Sequence, residues 1–147
     1  MAEDASNRMR SANMAAIRSV DTAPELYVRR ALHAAGFRFR LHKRALPGNP
    51  DVVLARLGVA VFVHGCFWHG HGCARDHSPK TNPAYWSEKI RRNQTRDQLQ
   101  RARLKDMGWV PIVVWECELE SATASLLRTL ARRRLKLAHP DVDGSRA

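Results

Sequence analysis

The sequence predicts one α/β domain with a mixed sheet and helices on its faces, and three observations carry that prediction. Two apolar, β-branched runs, Asp51-Val52-Val53-Leu54-Ala55 and Val59-Ala60-Val61-Phe62-Val63, are split by Arg56-Leu57-Gly58 and read as a hairpin buried on both faces. A third run, Trp109-Val110-Pro111-Ile112-Val113-Val114-Trp115, follows a long charged helical segment and reads as a central strand. Strand, crossover helix and strand imply parallel pairing with a right-handed connection.

Residues 1–20 are polar and basic, with Arg8, Arg10 and Arg18 around Met14 and Ile17, three apart and able to share a helical face. They read as an arm with little core of its own. Asp21-Thr22-Ala23-Pro24-Glu25 opens a helix, because it joins a capping side chain, a proline near the first turn and an acid at the positive dipole end. That helix runs to about Ala35 and stops at Gly36. Phe37-Arg38-Phe39-Arg40-Leu41-His42 alternates with period two, the mark of a half-buried strand, and Leu46-Pro47-Gly48-Asn49-Pro50 then makes a rigid turn. After the hairpin, a helix is expected from about Ala84 to Met107, ended by Gly108. A last amphipathic helix spans Ser121 to about Leu137, with Leu126, Leu127, Leu130, Ala131 and Leu135 inward and Arg128, Arg132, Arg133, Arg134 and Lys136 outward. The organisation is an arm over 1–20, a domain over 21–137 and a tail over 138–147.

At 147 residues the chain suits a single core that buries roughly two thirds of the unfolded surface. Twenty-five Lys and Arg against fourteen Asp and Glu leave a net charge of +11, a standing attraction for polyanions, nucleic acid first among them. A merely solvated basic surface is the alternative; charge does not decide between the two, but aromatic residues favour nucleic acid. Phe67 and Trp68 sit side by side among glycines and imidazoles, which makes poor core and poor strand but suits rings that enter base steps.

The same stretch carries the metal signal. Cys66, His71, Cys73 and Cys117 include every cysteine of the chain, and thiolates with an imidazole are the ligands that close a tetrahedral structural Zn²⁺ site. Three buried thiols are the alternative, since free cysteine often behaves as a small hydrophobe. A disulfide framework is disfavoured by the odd count, the lack of a secretory signal and the lack of an apolar run of roughly 18 residues. A soluble protein of a reducing cytoplasm is expected.

Asp51 opens a buried strand behind a proline. It is either a turn cap or a metal ligand, for a hairpin places the start of one strand opposite the end of the next and so brings Asp51 near the Val63 carbonyl, His64 and His69. Mg²⁺ takes oxygen ligands and keeps several waters, so one carboxylate, one carbonyl and a scissile phosphate suffice. A nearby imidazole can deprotonate water near neutral pH, which makes Asp51 and His69 a candidate hydrolytic pair.

Several motifs together resemble the very-short-patch repair (Vsr) mismatch endonucleases of bacteria: Asp21-Thr22, Leu46-Pro47-Gly48-x-Pro50-Asp51, His64 to Cys73, Trp86-x-x-Lys89-Ile90-x-x-Asn93 and Val114-Trp115-Glu116-Cys117. The resemblance covers about Arg10 to Leu119 and implies a restriction-endonuclease-like fold. It also implies an enzyme of the bacterial cytoplasm and nucleoid that nicks one DNA strand beside a T:G mismatch left by deamination of 5-methylcytosine. By that resemblance Asp51 and the Val63 carbonyl bind Mg²⁺, His69 is the general base, and His64 and Glu25 orient waters on the ion. Cys66, His71, Cys73 and Cys117 hold structural zinc. Phe67, Trp68 and Trp86 wedge in from the major groove, and Met14 and Ile17 press from the minor groove. A monomer is expected, with no membrane association, and a MutL-type repair protein is left open as a partner.

The sequence departs from the family pattern at Gly70 and Gly72, where histidines are usual, and at Val63, harmless if only its carbonyl serves. Val61-Phe62-Val63 also lacks the second acid and lysine of the wider endonuclease superfamily, so the chemistry leans on histidine. Two other readings stand beside this one: a zinc-stapled DNA-binding module without activity, and a restriction-type nuclease cutting matched sites. Trp86, Met14 and Ile17 can alternatively be core residues, and Trp109 and Trp115 are assigned to the core. Arg91, Arg92, Arg96, Arg101 and Arg103 make either a solvated helix face or a set of phosphate contacts.

Overall fold

The computed structural model describes residues 22–42, 45–66 and 82–139. Helix α1 spans Ala23–Ala34 because its start is doubly specified: Thr22 accepts from the Glu25 amide at 3.4 Å, and Pro24 lies in the first turn, where its missing N–H costs nothing. It ends where Gly36 turns left-handed at φ 80°. Strand β1 covers Arg40–Leu41, β2 Val52–Leu54 and β3 Val59–His64. Helix α2 covers Pro83–Asp106, β4 Val110–Trp115, a 3₁₀ turn Glu116–Glu118, and α3 Leu119–Ala138.

The strands lie in the order β1-β2-β3-β4, antiparallel except for β3 and β4, so the sheet is mixed as expected. Its two faces explain the unbroken apolar runs. Val52, Leu54, Val59 and Val61 face α1 and α3 through Val28, Leu32, Leu126 and Leu130, while Val53, Ala60 and Phe62 face α2 through Leu104. With both faces covered, alternate residues must all be apolar.

Four expectations need correction. The alternating segment Phe37–His42 forms only the two-residue strand β1, whose residues are exposed; Phe37 and Phe39 pack against the core ahead of it. The third apolar run, β4, is an edge strand among the described residues and mostly half-buried, in keeping with Pro111, which cannot donate to a neighbour on its open side. Trp109 and Trp115 are accordingly half-buried at the margin of the core and not inside it, Trp109 packing against the cluster of Phe62 and Leu104. On α3 the buried row is Thr123, Leu126 and Leu130, whereas Ala131, which lies off that row, and Leu135, beyond its last member, are exposed. No helix of the described residues is long and apolar enough to cross a membrane.

Candidate active site

Asp51 stands at the head of β2, delivered there by the turn before it. Gly48 holds φ 82°, and a Cβ on it would meet Gln100 Oε1 and Phe62 Cε1 at 3.0 Å, so both backbone and packing demand glycine. Since Val52 is registered against Val61 in antiparallel pairing, the start of β2 meets the end of β3. There the Val63 amide donates to Asp51 Oδ2 at 2.7 Å, a short bond to an ionised acceptor. One oxygen of the carboxylate is thereby fastened across the hairpin.

Two groups that the sequence reading did not single out complete the arrangement. His42, just past β1, donates its amide to the Asp51 carbonyl at 3.3 Å and sits at φ 46°, a left-handed conformation for which histidine is one of the enriched side chains. Its Nδ1 lies 4.0 Å from Asp51 Oδ1 and its Nε2 3.7 Å from Glu25 Oε2. Arg29, one helical turn beyond Glu25, reaches Glu25 Oε2 at 3.1 Å and His42 Nε2 at 3.0 Å. A guanidinium only donates, so it assigns His42 Nε2 as acceptor and places the neutral ring's proton on Nδ1, the nitrogen that faces Asp51. The signals were present: the spacing of four from Glu25 to Arg29, and the position of His42 at the end of a segment antiparallel to β2.

One ligand atom each from Glu25, His42 and Asp51 lies within 4.8 Å of the others. Two carboxylates held that close form a negative niche, and hard oxygen donors in that number suit Mg²⁺. Glu25 is buried while Asp51 and His42 are half-buried, so the niche meets solvent through those two side chains. His64, next along from Val63, is 5% exposed, its ring 5.2 Å from Trp115 edge-on and 5.8 Å from Phe62.

Cys66 is buried two residues past His64, and Cys117 is half-buried two residues past Trp115. His64 and Trp115 are register partners in the parallel β3–β4 pair, so residues 51 apart in sequence leave the sheet at the same end and the same height. Trp86 is half-buried in the first turn of α2, edge-on to Tyr85 at 5.3 Å and 5.4 Å from Lys89 Nζ. Farther along α2, Arg91 and Arg92 reach Glu88 at 2.9 and 3.3 Å, and the Arg91 hydrogen bond and charge hold that exposed carboxyl below its usual pKa. Phe67, Trp68, His69, His71, Cys73, Met14 and Ile17 lie outside the described residues.

Comparison with known proteins points the same way. A family model described as DNA mismatch endonuclease Vsr matches residues 3–75. The chain is 50% identical over 111 residues to the type II nicking enzyme V.XorIIP of Xanthomonas oryzae pv. oryzae, covering 76% of this chain and 82% of that one. It is 43% identical over 126 residues to V.NmeAIP of Neisseria meningitidis, another type II nicking enzyme, covering 86% of each. With the DNA mismatch endonuclease Vsr of Escherichia coli it shares 41% identity over 119 residues, 81% of this chain and 76% of that relative.

Proposed function

Because the chain belongs to the Vsr family of DNA endonucleases, we propose that it nicks one strand of duplex DNA beside a T:G mismatch by Mg²⁺-dependent phosphodiester hydrolysis. The observation that carries the proposal is the Asp51 carboxylate, fastened at 2.7 Å by the Val63 amide with a second carboxylate and an imidazole within 4.8 Å. A DNA-binding module without activity gives no reason to hold two acids together on a chain of net charge +11, where they repel both each other and DNA.

Asp51 and the Val63 carbonyl would hold Mg²⁺, with Glu25 behind them. When bound, the ion neutralises charge that develops on the phosphate and favours hydroxide over water. The protein's own contribution is order. The Val63 amide fixes the Asp51 carboxylate, and Arg29 ties Glu25 to His42, so the niche is set before substrate arrives. His69 would accept the proton of the attacking water, with His64 and Glu25 orienting solvent. Phe67, Trp68 and Trp86 would open the base step, which costs least where pairing is already defective. Met14 and Ile17 would press from the other groove. Cys66, His71, Cys73 and Cys117 would bind zinc; the equal offsets of Cys66 and Cys117 from paired strand ends support that reading. The chain would act as a monomer in the bacterial cytoplasm, with a MutL-type protein as the repair partner to test.

The test is a duplex labelled on each strand in turn, carrying one T:G pair and compared with its matched control in Mg²⁺. Nicking of a single strand, only in the mismatched duplex, is expected. Cleavage of both strands of the matched control would replace the proposal with a restriction-type activity.

A further inference from the structure

A second feature lies along α2, apart from the acidic niche. Arg91, Arg92, Arg96 and Arg103 line an open groove of about 450 Å³ together with Leu99 and Gln100. Arg92, Arg96, Leu99 and Arg103 follow one another at intervals of four, three and four, so they form a single row along the helix. Among the described residues no carboxylate lines the groove; the acid shown to pair with it, Glu88, is shared by Arg91 and Arg92 at its first turn. Arg96 instead donates to the Asn93 side chain at 3.1 Å. A row of cations so weakly neutralised repels itself.

The topology aims this row away from the site. β3 and β4 are parallel, so the intervening α2 begins at the sheet end that carries Asp51 and Val63 and returns to the end where β4 starts. Gln100 ties the groove to the turn before Asp51, because its Oε1 lies within 3.0 Å of where a Gly48 Cβ would stand.

Resting on the mismatch-nicking reading, we propose that this groove is a phosphate track for the duplex on one flank of the nick. The occupant is the DNA backbone, a linear polyanion that matches a linear row of cations in sign and shape. At 1.5 Å per residue the row from Arg92 to Arg103 is about 16 Å long and begins about 9 Å from Trp86. With one base pair per 3.4 Å, a duplex laid along α2 would meet it from about three to about seven base pairs beyond the wedge. The track would lengthen the footprint and anchor it without reading sequence.

The test uses the full chain without divalent metal and measures affinity against salt for T:G duplexes whose flanks are shortened one at a time, from about ten base pairs to about three. Arg92→Gln/Arg103→Gln removes two exposed cations from the row, and circular dichroism checks that it is folded. On the long duplex the variant should lower the slope of log K against log salt by about two and weaken binding to mismatched and matched DNA alike. Shortening one particular flank should abolish the difference between wild type and variant; shortening the other should not. Equal salt slopes on the long duplex would overturn the proposal and turn the search for the groove's occupant to an acidic protein. A deficit that persists with both short flanks would also overturn it. Wild-type nicking of the same duplexes reports on the catalytic reading separately.

Discussion

The two ends of the sheet use arginine in opposite ways. At the far end, where β2 turns into β3, Arg133 of α3 donates to the Leu57 carbonyl at 2.9 Å, and Arg134 donates to the Gly36 carbonyl at 3.3 Å with its guanidinium 3.8 Å over the Phe37 ring. Each cation there meets a backbone acceptor or an aromatic face and closes the fold. At the near end, Arg29 is drawn into a cluster of Glu25, His42 and Asp51, where it offsets part of the charge of two carboxylates gathered in one niche. The contrast teaches that charge and burial do not distinguish structure from function by themselves; groups held against their own electrostatic preference do.

That comparison predicts a near end that is stabilised from outside the apolar core. If Cys66 and Cys117, with His71 and Cys73, bind zinc, the metal clamps the strand ends beside the niche. One zinc per chain should then co-purify. Cys117→Ser should lose it and unfold roughly 20–40 °C lower, since structural zinc can contribute of order 10 kcal/mol in small domains and a domain of this size shifts about 2–4 °C per kcal/mol. A metal-free preparation with unchanged melting would leave the near end without its proposed staple.

Asp51→Ala sharpens the contrast next. It deletes the fastened carboxylate and its bond to the Val63 amide while relieving repulsion with Glu25, two opposed effects that should leave melting within a few degrees of wild type. Mg²⁺-dependent nicking should fall by roughly 10²-fold or more, as several kcal/mol of barrier lowering disappear. Near wild-type nicking by this variant would move the catalytic centre elsewhere and reduce Asp51 to a cross-strand tie for Val63.

How much of this could be read from the sequence depended on how local the cause was. Helix limits were legible because Thr22, Pro24, Gly36 and Gly108 act on their immediate neighbours. The β2–β3 hairpin, and with it the meeting of Asp51 and Val63, followed from two apolar runs and a turn. Where a residue's role depended on what packs beside it, the sequence was silent or misleading. Alternation over Phe37–His42 promised a long strand, yet only Arg40 and Leu41 pair, because the two phenylalanines turn to the core. Leu135 fits the apolar stripe of α3, yet it stays 64% exposed. His42 enters the site through a left-handed backbone that no periodicity reports. Pro111 did mark β4 as an edge and was outweighed by the apolar residues around it.

The smallest effect belongs to the far end and tests whether its arginines are structural only. Arg133→Ala removes a charged donor from the Leu57 carbonyl, which sits in the turn between β2 and β3, both buried except at Val63. Losing such a bond costs about 1–2 kcal/mol where the donor is only half-buried, so melting should drop by about 2–5 °C. The rate of nicking should not change at a temperature where both proteins are folded, because the side chain closes the end of the sheet opposite Asp51 and reaches no group of the niche. A thermal melt and a single-turnover assay on the same preparation decide it. Lowered nicking with unaltered melting would mean that the far end also serves the substrate, and the division between the two ends would have to be abandoned.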